Sequence, residues 1–146
     1  MTKANLQQIA VAAAHNHGLD PALVCAICHH ESDNWKPWAI RFEPGFYRRY
    51  TQPMALSDTE EHSRAISYGL MQVMGQVARE FGFEGEFLTE LCDPLTNLEY
   101  GCRKLAREMD KASGNIRQAL LGYNGGGNLA YPDLVLRHYD QYRRTE

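Results

Sequence analysis

Apolar residues recur at helical spacing through most of this chain. Between residues 4 and 17, Leu6, Ile9, Ala10 and Ala13 fall on one side, and Gly18 stops the run. A second helix opens at Asp20, a capping residue, with Pro21 suited to the first helical position. It carries Leu23, Val24, Ala26 and Ile27 at helical spacing and reaches one carboxylate, Glu31, followed by Ser32. From Asn34 to Tyr50 the pattern is aromatic and irregular, broken by Pro37, Pro44 and Gly45. Ser57 and Glu60 form a capping box for a short helix to about Arg64. Residues 65–72 contain a turn at Gly69, Met74 to Phe81 reads as helix up to Gly82, and residues 84–91 give one or two further turns. Asp93-Pro94 repeats the cap-plus-proline signature before the longest helix, residues 94–112, whose buried stripe is Leu95, Leu98, Cys102, Leu105 and Met109. Asn115 caps a short helix over 116–123, closed by Gly125, Gly126 and Gly127. Tyr131-Pro132-Asp133 opens a last helix carrying Leu134, Leu136, Tyr139 and Tyr142. No convincing strand alternation and no internal repeat is present, although segment 36–68 leaves room for a small β-hairpin. The pattern predicts an all-α fold, or a helix-dominated α+β one.

Composition narrows this to one soluble globular domain over residues 1–146, with 44% hydrophobic and 23% charged residues. A net charge of -3 argues against a nucleic-acid or anionic-membrane binder. No run approaches the roughly 20 apolar residues of a membrane span, so no membrane insertion is expected. The first residues lack the charged head, apolar middle and cleavage site of a signal peptide, which predicts synthesis and folding in the cytoplasm.

Cys25 and Cys28 form a C-x-x-C followed by His29 and His30. A structural zinc site needs four ligands, usually from two short motifs, and Cys92 and Cys102 do not make a second knuckle. Redox chemistry of the thioredoxin kind needs a strand before the motif, and none is legible. The expectation is therefore four thiols, 25 and 28 on one helical face as small core residues, with no metal and no cofactor. A disulfide is left open by the spacing, and cytoplasmic synthesis argues against one.

Four segments combine a polar side chain with glycine or a small residue beside an apolar run. They are His30-Glu31-Ser32, Ser67-Tyr68-Gly69-Leu70-Met71-Gln72, Asn97-Leu98-Glu99-Tyr100-Gly101 and Leu121-Gly122-Tyr123-Asn124-Gly125-Gly126-Gly127. Glycine admits close approach of backbone or ligand. Each segment alone is weak; their order and spacing are specific. Together they resemble the lysozyme-like lytic transglycosylases of the soluble (SLT) type, over about residues 5–130. That family's markers are Glu-Ser at a helix end, G-L-M-Q, N-L-x-x-G and A-Y-N-x-G. Gly122 replaces the usual alanine, and the insert from Trp35 to Ser63 is longer than in the plainest members and is similar to that of phage-borne relatives.

The resemblance implies a lysozyme-like fold with a substrate groove, and peptidoglycan glycan strands as substrate for a monomer. It implies Glu31 as the catalytic acid, with Tyr123 beside it and its hydroxyl available to orient the carboxyl. Ser32, Ser67, Tyr68, Gly69, Met71, Gln72 and Asn124 are the implied substrate-binding positions, with a backbone-bonding role as the plainer alternative for Gln72 and Asn124. Cleaving a β-1,4 bond needs a proton on the leaving oxygen, and burial keeps a carboxyl protonated near neutral pH. The usual glycosidase has two carboxylates; the resemblance implies one, with the sugar's acetamido group stabilising the cation and the 6-hydroxyl closing on C1 as a 1,6-anhydro product. A hydrolase would need a second acid. Glu43 is the candidate, against an ion pair with Arg41 or Arg48, and Asp33 and Glu99 are lesser ones. A glycan-binding module without turnover is the third reading. Trp35, Trp38, Tyr47, Tyr68 and Tyr131 divide between groove lining and core. His29 and His30 are expected to pack or face solvent. Without an export signal, delivery to the wall falls to a holin, a virion or a secretion apparatus.

Overall fold

The computed structural model describes residues 1–144. Helix α1 (Lys3–Asn16) leads into α2 (Pro21–Glu31), which is the core of the molecule. Every residue of α2 from Ala22 to Cys28 is buried, so the helix is apolar all round and takes neighbours on several sides. Helices α1, α8 (Tyr131–Leu136) and α9 (Tyr139–Arg143) pack against it. Burying Leu23, Val24 and Ile27 stabilises the fold by about 2 kcal/mol each. Asp20 caps α2 by accepting the Ala22 N–H at 2.9 Å, and its other oxygen accepts the Tyr139 hydroxyl, which fastens α9 to the start of α2.

The irregular aromatic segment holds strand β1 (Ile40–Phe42), a single helical turn α3 (Pro44–Phe46), a π-turn at Tyr47–Thr51 and a 3-10 turn at Gln52–Met54. Helix α4 (Asp58–Arg64), capped by Ser57, then leads into β2 (Ile66–Tyr68) and β3 (Val73–Met74). All three strands are antiparallel, in the order β1-β2-β3. The hairpin anticipated within 36–68 is therefore the pair β1 and β2, joined by a long excursion and extended by a third strand. Register places Arg41 against Ser67 and Ser67 against Met74, while Ile40 faces Tyr68 and Tyr68 faces Val73. Alternation puts Arg41, Ser67 and Met74 on one face, and Tyr68 and Val73 on the buried face.

Helix α5 (Gly75–Glu80), a 3-10 turn (Leu88–Cys92), α6 (Pro94–Lys111) and α7 (Ile116–Tyr123) complete the fold. Two boundaries differ from the sequence pattern. Met74 belongs to β3 and precedes α5 rather than opening it. The last helix breaks at Arg137–His138, because His138 stacks on His29 with ring centroids 3.9 Å apart and α9 turns to bring the Tyr142 hydroxyl 2.7 Å from His29 Nδ1. Among the described residues no helix is long and apolar enough to cross a membrane.

Candidate active site

Helix α2 delivers Glu31 at its last turn, where the helix dipole and burial both disfavour a negative charge. The chain then reverses without glycine: Asp33, Asn34 and Trp35 have φ of 50°, 68° and 72°. Left-handed backbone costs a non-glycine residue roughly 1–2 kcal/mol. Trp35 offsets part of this, being buried with its indole N–H donating to the Tyr142 hydroxyl at 2.7 Å. Ser32 is the bracket of this reversal. It is wholly buried, donates to the Cys28 carbonyl at 2.5 Å and accepts the Trp35 N–H at 3.0 Å. The structure thus places Ser32 inside the helix terminus and not on a ligand-facing wall, because its hydroxyl is committed to backbone.

Glu31 opens into a cleft of about 550 Å³ whose walls come from the β1–β3 sheet, α3, α6 and α7. Arg41, Ser67 and Met74 from the polar sheet face line it, with Glu43, Phe46, Gln72, Lys104, Glu108, Tyr123 and Asn124. The Glu31 carboxyl accepts the Tyr131 hydroxyl at 2.8 Å. Burial holds Glu31 above the usual carboxylate range, against the pull of that hydrogen bond and of the Lys104 and Arg41 cations. A carboxyl placed this way can hold a proton and give it to an oxygen in the cleft.

The G-L-M-Q block is held by Asn97 of α6. Asn97 is fully buried; its Oδ1 accepts the Met71 N–H at 2.8 Å and its Nδ2 donates to the Tyr68 and Leu91 carbonyls at 2.7 and 2.8 Å. Gly69, at φ 72°, lies so near that a Cβ there would sit 2.5 Å from Asn97 Nδ2. Gly101, one turn along α6, leaves room for the Met71 side chain. Gly69 and Met71 are therefore buried and shape the wall from behind. Tyr68 points into the core and donates to the Ser63 carbonyl at 2.9 Å. Gln72 lines the cleft while its Nε2 donates to the Ala39 and Gly69 carbonyls at 3.0 and 3.1 Å, so its amide supports the loop. Tyr123 presents its ring to the cleft, but its hydroxyl donates to the Met71 carbonyl at 2.7 Å. The hydroxyl bonded to Glu31 belongs to Tyr131 instead. Asn124 is exposed at the rim, where α7 ends.

Among the described residues, three carboxylates reach this cleft. Glu43 is ion-paired to Arg41 at 3.0 Å. Glu108 lies 3.7 Å from both Arg107 and Lys111 and fills the space a side chain at position 122 would take, which accounts for Gly122. Glu31 is the third. Asp33 and Glu99 are elsewhere engaged: Asp33 with Lys36 at 2.7 Å, Glu99 with His17 at 3.2 Å and Arg103 at 2.6 Å. The aromatic set scatters. Trp35, Tyr68 and Tyr131 are buried, Trp38 is exposed, and Tyr47 stacks on His62 at 4.1 Å. His29 and His30 both pack, His30 edge-on to the Tyr131 ring at 5.5 Å. Cys25, Cys28 and Cys102 sit in the core, where burial pushes the Cys28 thiol up and Cys102 to about 12. Tyr131 as the partner of Glu31, and Lys104 and Glu108 as cleft residues, were not singled out for those roles by the sequence pattern. The glycine at 122 was the available signal for Glu108; a tyrosine opening a helix before proline gave none for Tyr131.

The transglycosylase SLT domain model matches residues 8–131, which takes in the Glu31 turn, the Asn97 bracket and Tyr123, and ends on Tyr131. No solved structure matches the chain. With the match spanning most of the chain and a helix-dominated single domain beneath it, this protein belongs to the soluble lytic transglycosylases of the lysozyme-like superfamily, whose general activity is cleavage of peptidoglycan glycan.

Proposed function

We propose that the chain cleaves the β-1,4 bond between N-acetylmuramic acid and N-acetylglucosamine without consuming water, leaving 1,6-anhydro-muramic ends. Glu31 donates its proton to the leaving oxygen as the C1–O bond breaks. The acetamido group of the same sugar stabilises the cationic carbon. The Glu31 carboxylate then takes the proton of the 6-hydroxyl, whose oxygen closes on C1, and the acid is restored. Tyr131 orients the carboxyl through both stages, and the Tyr123 ring walls the cleft beside it. Ser67, Gln72 and Asn124 are the lining groups placed to meet the sugar's polar substituents.

One observation carries this reading. Of the three cleft carboxylates among the described residues, Glu31 is the one that burial raises above the usual range, while Glu43 and Glu108 are occupied by cations. A hydrolase in which Glu43 places water would have to free it from Arg41. Digestion of purified sacculi followed by muropeptide mass measurement tests the assignment. The expected products are lighter than the hydrolytic ones by one water. Hydrated ends would favour the muramidase reading. Glu31→Gln is expected to abolish release from sacculi, and retained activity would remove Glu31 from the chemistry.

A further inference from the structure

The charged groups of the cleft pair off with one remainder of each sign. Arg41 is matched to Glu43 at 3.0 Å and Arg107 to Glu108 at 3.7 Å. What remains is Glu31 on α2 and Lys104 on α6. Among the described residues no carboxylate oxygen lies within 4.0 Å of the Lys104 ammonium. It sits over the face of Tyr123, with Nζ 4.2 Å from the ring centroid. Lys104 follows Gly101 by one turn, and Gly101 is pressed against Met71, so α6 cannot slide away from the cleft wall without disturbing the Asn97 bracket. The ammonium is thus fixed in the same small volume as Glu31, on a ring whose own hydroxyl is anchored at 2.7 Å to the Met71 carbonyl.

We propose that Lys104 is a positioning residue for the reaction: seated on Tyr123, it supplies the counter-charge to the Glu31 carboxylate at the stage when the acid has given up its proton. The inference rests on Glu31 being the acid. Burial alone favours the protonated form and would make the carboxylate a costly species in the cleft. A fixed cation lining the same cleft lowers that cost without neutralising the acid beforehand, since no hydrogen bond joins the two. It therefore sets where Glu31 loses its proton. The other groups facing Glu31 are Tyr131 by hydrogen bond, Arg41 from β1, and Tyr123 from α7. His30, edge-on to Tyr131, and Cys28, one turn back on α2, lie behind it, and the paired Glu43, Arg107 and Glu108 share its cleft. Burial lowers the Lys104 ammonium from its ordinary range, Glu31 pulls it back up, and Arg107 and Glu108 act on it from its own helix with opposite signs. Of these, Lys104 is the cation without a competing carboxylate in contact.

The sign follows. Glu31 acts first as an acid, so activity on the alkaline side falls as it deprotonates. A nearby cation lowers the pH at which that happens, and removing it moves the alkaline limb upward. The test is the pH profile of kcat/KM on soluble glycan strands for the whole chain, with Lys104→Met, Lys104→Gln and Lys104→Arg. The neutral variants are expected to move the alkaline midpoint up by about one pH unit, and the arginine variant to stay within about 0.3 unit of the parent, as expected for loss or retention of one nearby opposite charge. Superimposable alkaline limbs in parent and neutral variants, or an arginine variant that shifts as far as methionine, would overturn the proposal. So would failure of both neutral variants to fold, because the ammonium would then be structural. Glu31→Gln run beside them separates the two levels. If it stays active, the function reading fails; if it is dead while the limbs do not move, only the role of Lys104 fails.

Discussion

The Tyr131 hydroxyl donates to Glu31 Oε2 at 2.8 Å, joining residues 100 positions apart in the chain. That bond ties the first residue of α8 to the last of α2, and it is the direct restraint on the direction of the carboxyl. Tyr131→Phe keeps the buried ring and removes the donor. Hydrogen bonds to charged groups contribute about 1.5–3 kcal/mol, so kcat/KM is expected to fall about 10- to 100-fold. The alkaline limb should move upward, since a bond favouring the carboxylate is gone. Steady-state rates across pH, with a thermal melt to confirm an intact fold, check this.

Asn97→Ala is expected to be among the most damaging single changes. It leaves the Met71 N–H and the Tyr68 and Leu91 carbonyls buried without their side-chain partner. At about 1–3 kcal/mol for each unsatisfied buried group, a loss of about 3–5 kcal/mol is expected in urea unfolding. Activity should fall further than stability at temperatures where the variant is folded, because Met71 also holds the Tyr123 hydroxyl.

Stability should fall with acid through the His29–His138 stack. Burial first, then His29, Arg137 and His30, hold the His138 imidazole down from 6.5 to about 4. The folded state therefore prefers neutral His138 and the unfolded chain takes up the proton more readily. Its contribution is complete above pH 6.5 and is lost as pH drops toward 4. Thermal midpoints measured across this window should decline less steeply in His138→Phe, which keeps a ring on His29 and removes the titration. Parallel slopes in the two proteins would contradict the assignment.

Gly122 and Glu108 should be energetically coupled. Alanine inside a helix is favoured over glycine by about 1 kcal/mol, yet a Cβ at 122 meets the Glu108 carboxylate. Gly122→Ala is expected to bring no gain in the parent and about 0.5–1 kcal/mol of gain in a Glu108→Ala background, the helix-propensity difference being realised only there. A double-mutant cycle by urea unfolding measures the difference, and simple additivity would refute the coupling.

Much of this was legible in the sequence because it is local. Asp20, Ser57, Asp93 and Asn115 each cap the helix they precede, accepting backbone N–H groups at 2.9, 3.2, 3.0 and 3.0 Å. Leu98, Cys102 and Leu105 of the α6 stripe and the apolar content of α2 gave the core, whereas Leu95, expected in that stripe, is 65% exposed at the start of α6. The sheet was less legible, since its strands are two or three residues long and β1 is exposed throughout. Periodicity has nothing to work on at that length. Within the site, motif blocks located Glu31 and the Met71 wall but not the division of labour. Ser32 belongs to a motif and proves to be internal, while Tyr131 and Lys104 lie outside any polar cluster; the packing of α8 brings Tyr131 to Glu31, and that of α6 brings Lys104 to the cleft. A tyrosine's ring and its hydroxyl can serve different neighbours, and spacing alone does not distinguish Tyr123, bonded to Met71, from Tyr131, bonded to Glu31.

The left-handed reversal at Asp33, Asn34 and Trp35 bears on how such an enzyme can be controlled. Its three consecutive strained residues are locked by Ser32 and by a buried indole, so an effector could displace Glu31 only by unwinding the end of the central helix. Inhibition or activation of this enzyme must then work on who gains entry to the cleft, and a drug or a natural antagonist would do best as a plug, leaving Glu31 where the chain has set it.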